Sequence, residues 1–196
     1  MTNEERIQMV LKNAEQSSTL RRAVGQTLAE PLVELANNIA AVIGSGRKLL
    51  ICGNGGSAAD SSHMAAEMIV RLTGERNRPS LPAIALTTDT SIMTAAGNDF
   101  GFERIFSRQV EGLGRQGDML LVISTSGNSI NLIRAAETAR EKRMLIAALL
   151  GGDGGKIGPM ADKKLIIPHR SVQRIQEEQI FLIHLLVELI EGDLSQ

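Results

Sequence analysis

The chain of 196 residues has no tryptophan, no tyrosine and only four phenylalanines. A core built on large aromatic side chains is excluded, so Leu, Ile, Val, Ala and Met must fill the interior. Cysteine is nearly absent too. Cys52 stands alone, which rules out a disulfide framework and a thiolate zinc site within one chain. Charge of one sign is also missing. The net charge is −1 and lysines and arginines do not cluster, so the basic footprint of a nucleic-acid binder is not there. No long hydrophobic run occurs either. The most apolar stretch, residues 180–190, is interrupted by His184 and Glu188 and is too short to span a bilayer. The opening decapeptide MTNEERIQMV carries two glutamates and no apolar segment of the signal-peptide kind. These absences predict a soluble, cytoplasmic protein with no membrane partner and no direct contact to nucleic acid.

What is present suits a globular protein. Hydrophobic residues make up 43% of the chain, enough for a core and too many for a disordered segment. The length fits a single domain, residues 1–196, with residues 1–45 as an N-terminal helical arm. Apolar residues recur at helical spacing over 4–44, and Pro31 is expected to divide that stretch into two helices. Short apolar runs at 48–52, 83–86, 119–124, 145–150 and 165–167 read as strands. Helical stretches lie between and after them, at 57–72, 92–113 (interrupted near 97–101), 130–142 and 172–190. Strands alternating with helices predict an α/β fold, a five-stranded parallel sheet covered by helices on both faces. The polar loop 73–81 is expected to be exposed.

The 19 glycines gather at GNGGS, STSGN and GGDGG, where backbone turns tightly or approaches a ligand. Ligands of open parallel sheets bind beyond the carboxyl ends of the strands. The loop Ser124-Thr125-Ser126-Gly127-Asn128-Ser129 follows the third strand there and offers four hydroxyls just before a helix. Helix N-termini and hydroxyl donors suit an anion, although Ser and Asn are also ordinary helix caps. The loop Gly53-Asn54-Gly55-Gly56-Ser57-Ala58 matches the dinucleotide pattern G-x-G-x-x-A, but the acid that should end the second strand is missing, Asp89 lying too far on. It therefore reads as a tight strand-to-helix turn that brings Asn54 and the backbone close to a small ligand.

Histidine is scarce, with three in the chain. His63 and Glu67 are four apart and share a helix face; on spacing alone, a surface pair is the simpler reading. His184 sits in an apolar helix, where a lone histidine is usually a hydrogen-bonded core residue. His169 follows Pro168 in a loop with no evident partner.

The segments CGNGGSAAD, PAIALTTDTS, NDFGFERIFSRQVEGLGRQGD, ISTSGNS and RIQE resemble, in this order, the sugar isomerase (SIS) family, and most closely its isomerases of seven-carbon sugar phosphates. The match runs from Lys48 to Glu191; the N-terminal helices fit the family layout without carrying a motif. The resemblance implies a flavodoxin-like three-layer sandwich, a homotetramer joined through the apolar N- and C-terminal helices, and one zinc ion per subunit held by His63, Glu67, Gln176 and His184. It also implies the interconversion of sedoheptulose 7-phosphate and an aldose heptose 7-phosphate, the first step towards ADP-heptose for lipopolysaccharide. Glu67 would be the base and His184 the acid. Ser124, Thr125, Ser126 and Ser129 would grip the phosphate. Asn54, Gly55, Gly56, Gln176, and Asn98 and Asp99 in a GND turn, would contact the substrate. A straight helix sets Gln176 and His184 about 12 Å apart along its axis, so the helix begins or bends near Gln176, or different subunits supply the ligands. Gln179 stands where many members have histidine. Two rival readings keep the fold without the chemistry. One is a relative that binds the bacterial replication initiator, the other a sugar-phosphate sensor. The four intact metal-site residues favour the enzyme.

Overall fold

The computed structural model describes residues 1–194. Five strands, β1 (Leu49–Gly53), β2 (Ala83–Ala85), β3 (Met119–Ser124), β4 (Leu145–Gly151) and β5 (Lys163–Ile167), form one parallel sheet in the order β2-β1-β3-β4-β5. Alternate residues of each strand enter different cores. Leu49, Ile51, Leu121, Ile123 and Leu149 face one side. Leu50, Cys52, Leu120, Val122 and Leu150 face the other. Both sides are covered, which is why the strands read as unbroken apolar runs. β5 is the exception. It starts two residues earlier than the apolar signal because Lys163 and Lys164 occupy its exposed beginning at the sheet edge, a usual place for lysine.

One core is closed by α1 (Asn3–Gly44), α2 (Gly56–Ile69) and α6 (Val172–Leu194); the other by α3 (Thr90–Phe100), α4 (Ile105–Leu113) and α5 (Ile130–Glu141). α1 is one continuous helix, contrary to the break expected at Pro31. Proline there removes the bond its N–H would have given to the carbonyl of Thr27. Val24, Leu32, Leu35 and Ile39, on either side of it, are buried against the core, and that packing holds both halves on one axis. A capping box starts the helix: Thr2 Oγ1 accepts from Glu5 N–H at 3.2 Å, and Glu5 Oε2 accepts from Thr2 N–H at 2.6 Å. The first 16 residues are exposed, and Leu20 is the first buried side chain.

The interruption expected near 97–101 falls at Gly101, followed by a short 3-10 turn, Phe102–Arg104. Asn98 and Asp99 therefore lie in the last turn of α3, not in a turn between elements.

With this strand order, the direction in which strands are added reverses between β1 and β3, and the crevice outside their carboxyl ends is the ligand position of such sheets. Both glycine-rich loops, residues 53–58 and 124–129, open there.

Candidate active site

Gly55 precedes α2 and carries no capping side chain. Its neighbour Asn54 is held by Asn131 near the start of α5: each side-chain amide nitrogen donates to the other's oxygen at 2.9 Å. The two loops are thereby fixed to each other.

The 124–129 loop is folded by its own side chains. Ser124 is buried, and its hydroxyl oxygen accepts from Gly127 N–H at 3.0 Å. Ser126 Oγ accepts from Asn128 N–H at 3.2 Å. Gly127 has φ +63, and a β-carbon there would sit 2.1 Å from the carbonyl oxygen of Gly154. Only glycine fits both the conformation and the space. The loop is zipped to the GGDGG segment by Ile157 N–H on Gly127 O at 3.0 Å and Lys156 N–H on Asn128 Oδ1 at 3.1 Å. Ser129 is the residue before α5, yet its hydroxyl makes no capping bond. The ordinary explanation of a serine at this place, capping of the helix, therefore does not apply.

Beside this loop, at the ends of β3, β4 and β5, is a cleft of about 580 Å³. Thr125, Ser126, Asp153, His169 and Arg170 are among its walls. Sequence reasoning singled out the first two only. GGDGG had been noted for its glycines, but nothing in it marked Asp153. His169 is not without a partner: its Nδ1 accepts from Ser171 N–H at 3.0 Å.

A second cluster lies where α2 meets α6. His63 Nε2 is 2.9 Å from Glu67 Oε1 and 3.1 Å from His184 Nε2, and His184 Nε2 is 3.6 Å from the same Glu67 oxygen. One ligand atom from each residue lies within 4.8 Å of the others. The i,i+4 pair is thus part of a three-residue group, its third member delivered by α6. The remaining oxygen, Glu67 Oε2, is buried and has no hydrogen-bond partner. Two imidazoles and a carboxylate with one oxygen unpartnered among the described residues suit a divalent cation such as zinc. One turn earlier on α2, burial pushes the carboxyl of Asp60 above its usual range, with His63 partly offsetting it.

Gln176 is elsewhere in the same chain. Its amide packs on Gly56, where an added β-carbon would come within 2.5 Å of Nε2. Gly56 precedes His63 by seven residues, about 10 Å along α2, and α6 runs unbroken from Val172 through both Gln176 and His184. Ile175, the neighbour of Gln176, lines the cleft. Gln179 is fully buried; it donates to the carbonyl of Leu149 at 3.1 Å and accepts from Ser57 Oγ at 3.4 Å. Asn98 and Asp99 are exposed and bonded to each other at 2.8 Å. Asp99 lines a separate groove with Ile92, Phe100 and Leu113, away from the cleft beside the serine loop.

A family model described as the SIS domain matches residues 13–151. The phosphoheptose isomerase of Chlorobaculum parvum is 48% identical over 186 residues, covering 94% of this chain and 89% of its own. The chain belongs to the phosphoheptose isomerase family of SIS-domain proteins. Solved structures agree. The phosphoheptose isomerase of Neisseria gonorrhoeae superimposes with a TM-score of 0.89 at 45% identity, over 97% of this chain and all of its own. That of Francisella tularensis gives 0.91 at 35%, over 98% of this chain and all of its own. The domain match ends before α6. Relatives at this identity carry the name of an enzyme, which leaves the initiator-binding reading without support.

Among the described residues, no helix is long and apolar enough to cross a membrane.

Proposed function

We propose that the chain is a zinc-dependent isomerase that converts sedoheptulose 7-phosphate to D-glycero-D-manno-heptose 7-phosphate in the cytoplasm, at the entry to ADP-heptose for lipopolysaccharide core. The convergence of His63, Glu67 and His184 from two helices carries this reading, because phosphate binding alone has no use for it. Family membership and the serine loop supply the rest.

The reaction moves a carbonyl from C2 to C1. A proton must leave C1, an enediol forms, and C2 receives a proton. Glu67 serves as the base and His184 as the acid. The two oxygens of Glu67 differ: Oε1 is engaged by both imidazoles, while Oε2 has no partner. Zinc, when bound by His63, Glu67, His184 and Gln176, would supply positive charge for the developing oxyanion. Ser124, Thr125, Ser126 and Ser129 hold the phosphate at the start of α5, and Asn54, Gly55 and Gly56 contact the sugar beside them. Asn98 and Asp99 remain proposed as further substrate contacts.

The whole chain is taken as one SIS domain with α1 as its arm. A homotetramer is proposed for two reasons. α6 is unbroken and Gln176 lies about two turns from His184, which favours ligands shared between subunits. Ile7, Val10 and Leu11 are also exposed on a part of α1 that packs on little of its own chain.

The test is to incubate purified protein with sedoheptulose 7-phosphate, with and without zinc, and to look for an aldose product. Product dependent on zinc is expected. A folded, zinc-loaded protein that forms none overturns the reading.

A further inference from the structure

Arg78, in the segment expected from its polarity to be exposed, joins α2 to α6 from outside both helices. Its side chain is 4% exposed, and that of Glu191, its partner on α6, is 0%. Burying two charges is costly unless both are well paired, so this contact is built for a purpose. Arg78 Nη2 lies 2.7 Å from Glu191 Oε1 and its Nε donates to the same oxygen at 2.8 Å.

Nη1 gives one bond to the carbonyl of Pro79 at 3.0 Å, and the other bonds turn to α2. Arg78 Nη2 donates to the carbonyl of Glu67 at 2.8 Å, and Nη1 to the carbonyl of Met68 at 2.9 Å. These carbonyls belong to the last turn of α2, beyond which no helical turn follows; that of Met68 also accepts from Leu81 N–H at 3.1 Å. That last turn has no basic residue of its own. The guanidinium therefore closes the helix end and supplies the positive charge its dipole favours.

We infer that Arg78 is a positioning residue for the His63–Glu67–His184 group, an inference that rests on the metal-site reading above. Its bond to Glu67 falls on the backbone of a ligand, and Glu191 lies two turns beyond His184 on the same face of α6. One planar fork holds both helices at their ligand-bearing faces. The 70–81 loop has its own ties, Leu72 N–H to Glu191 Oε1 at 3.2 Å and Arg78 Nη1 to the Pro79 carbonyl at 3.0 Å, and a loop anchor would not need the bond to the Glu67 carbonyl. Lysine cannot replace the fork, since one ammonium does not serve two carbonyls and a carboxylate in fixed directions.

The experiment compares wild type with Arg78→Lys, Arg78→Met and Glu191→Gln. Zinc affinity is measured by competition with a chromophoric chelator, the affinity for inorganic phosphate by calorimetry, kcat and KM by turnover, and folding by circular dichroism. Zinc affinity is expected to fall about 10–100-fold, the usual scale for losing an outer-sphere support. kcat should fall while KM stays within about twofold, and phosphate affinity should not change, because the serine loop lies elsewhere. Should Arg78→Met fail to fold, Arg78→Lys carries the comparison. Folded variants that bind zinc and turn over like wild type, with only a lower melting temperature, overturn the inference. If wild type itself is active without holding zinc, the metal reading fails. A lowered kcat at unchanged KM in Arg78→Lys would then still establish Arg78, and an unchanged kcat would remove it.

Discussion

The side chains of Asn54 and Asn131 hold each other through two hydrogen bonds of 2.9 Å, linking the turn after β1 to the helix after β3. Asn131 is 2% exposed, so removing its partner leaves a buried amide unsatisfied. Asn54→Ala is expected to cost about 1–3 kcal/mol, a fall in Tm of several degrees for a chain of this size. Asn131→Ala should cost a similar amount, and the double variant clearly less than the sum. Thermal denaturation of the four proteins checks this; strict additivity would show that the pair does not act as a unit.

Two serines of one loop should behave differently. Ser129 makes no capping bond, so Ser129→Ala should leave Tm within about a degree while weakening sugar-phosphate binding by about 0.5–1.5 kcal/mol. Ser124 is buried and accepts from Gly127 N–H, so Ser124→Ala should lower Tm as well. Calorimetric titration with a sugar phosphate, run beside thermal melts, separates the two effects.

Glu67→Gln keeps the size of the side chain and an oxygen for the cluster but cannot take a proton. His184→Gln removes the imidazole. Each is expected to reduce turnover about a hundredfold or more while phosphate binding persists. Metal content must be determined on the same samples. Full activity in zinc-loaded Glu67→Gln would strike Glu67 from the role of base.

Asp118 predicts a pH dependence of stability. Burial alone would raise its pKa, but the Lys48 ammonium at 2.5 Å and the N–H groups of Lys48 and Arg115 outweigh it, and the carboxyl is held below its usual range. A depressed folded-state value means that the stabilisation is complete above about pH 4, where an unfolded aspartate is ionised. It is lost as pH falls through the folded value. Asp118→Asn should cost about 1–3 kcal/mol at pH 7, and the gap to wild type should close below about pH 4 in urea titrations. A constant gap down to pH 2 would mean that Asp118 acts through packing alone.

Much of the fold was legible because strands buried on both faces announce themselves as apolar runs. Each predicted strand lies within two residues of the one observed. Lys163 and Lys164 escaped because an edge strand can begin in water. Pro31 misled because the rule that proline ends helices is local, while the packing of Val24, Leu35 and Ile39 is not. At the site, a shared helix face made His63 and Glu67 visible as a pair, but spacing could not tell that α6 brings His184 to them. Asn131 and Arg78 left no mark at all. In sequence they resemble any surface polar residue, and only burial against a specific partner distinguishes them.

The contact between Gly56 and Gln176 makes two positions 120 residues apart a single heritable unit. Position 56 can acquire a side chain only if the amide at 176 withdraws. A side chain gained at 56 meets the end of the Gln176 side chain, whereas a shorter residue at 176 meets nothing, so a change at 56 should follow or accompany one at 176. A descendant of this chain that has changed both positions would be the place to look for altered substrate preference.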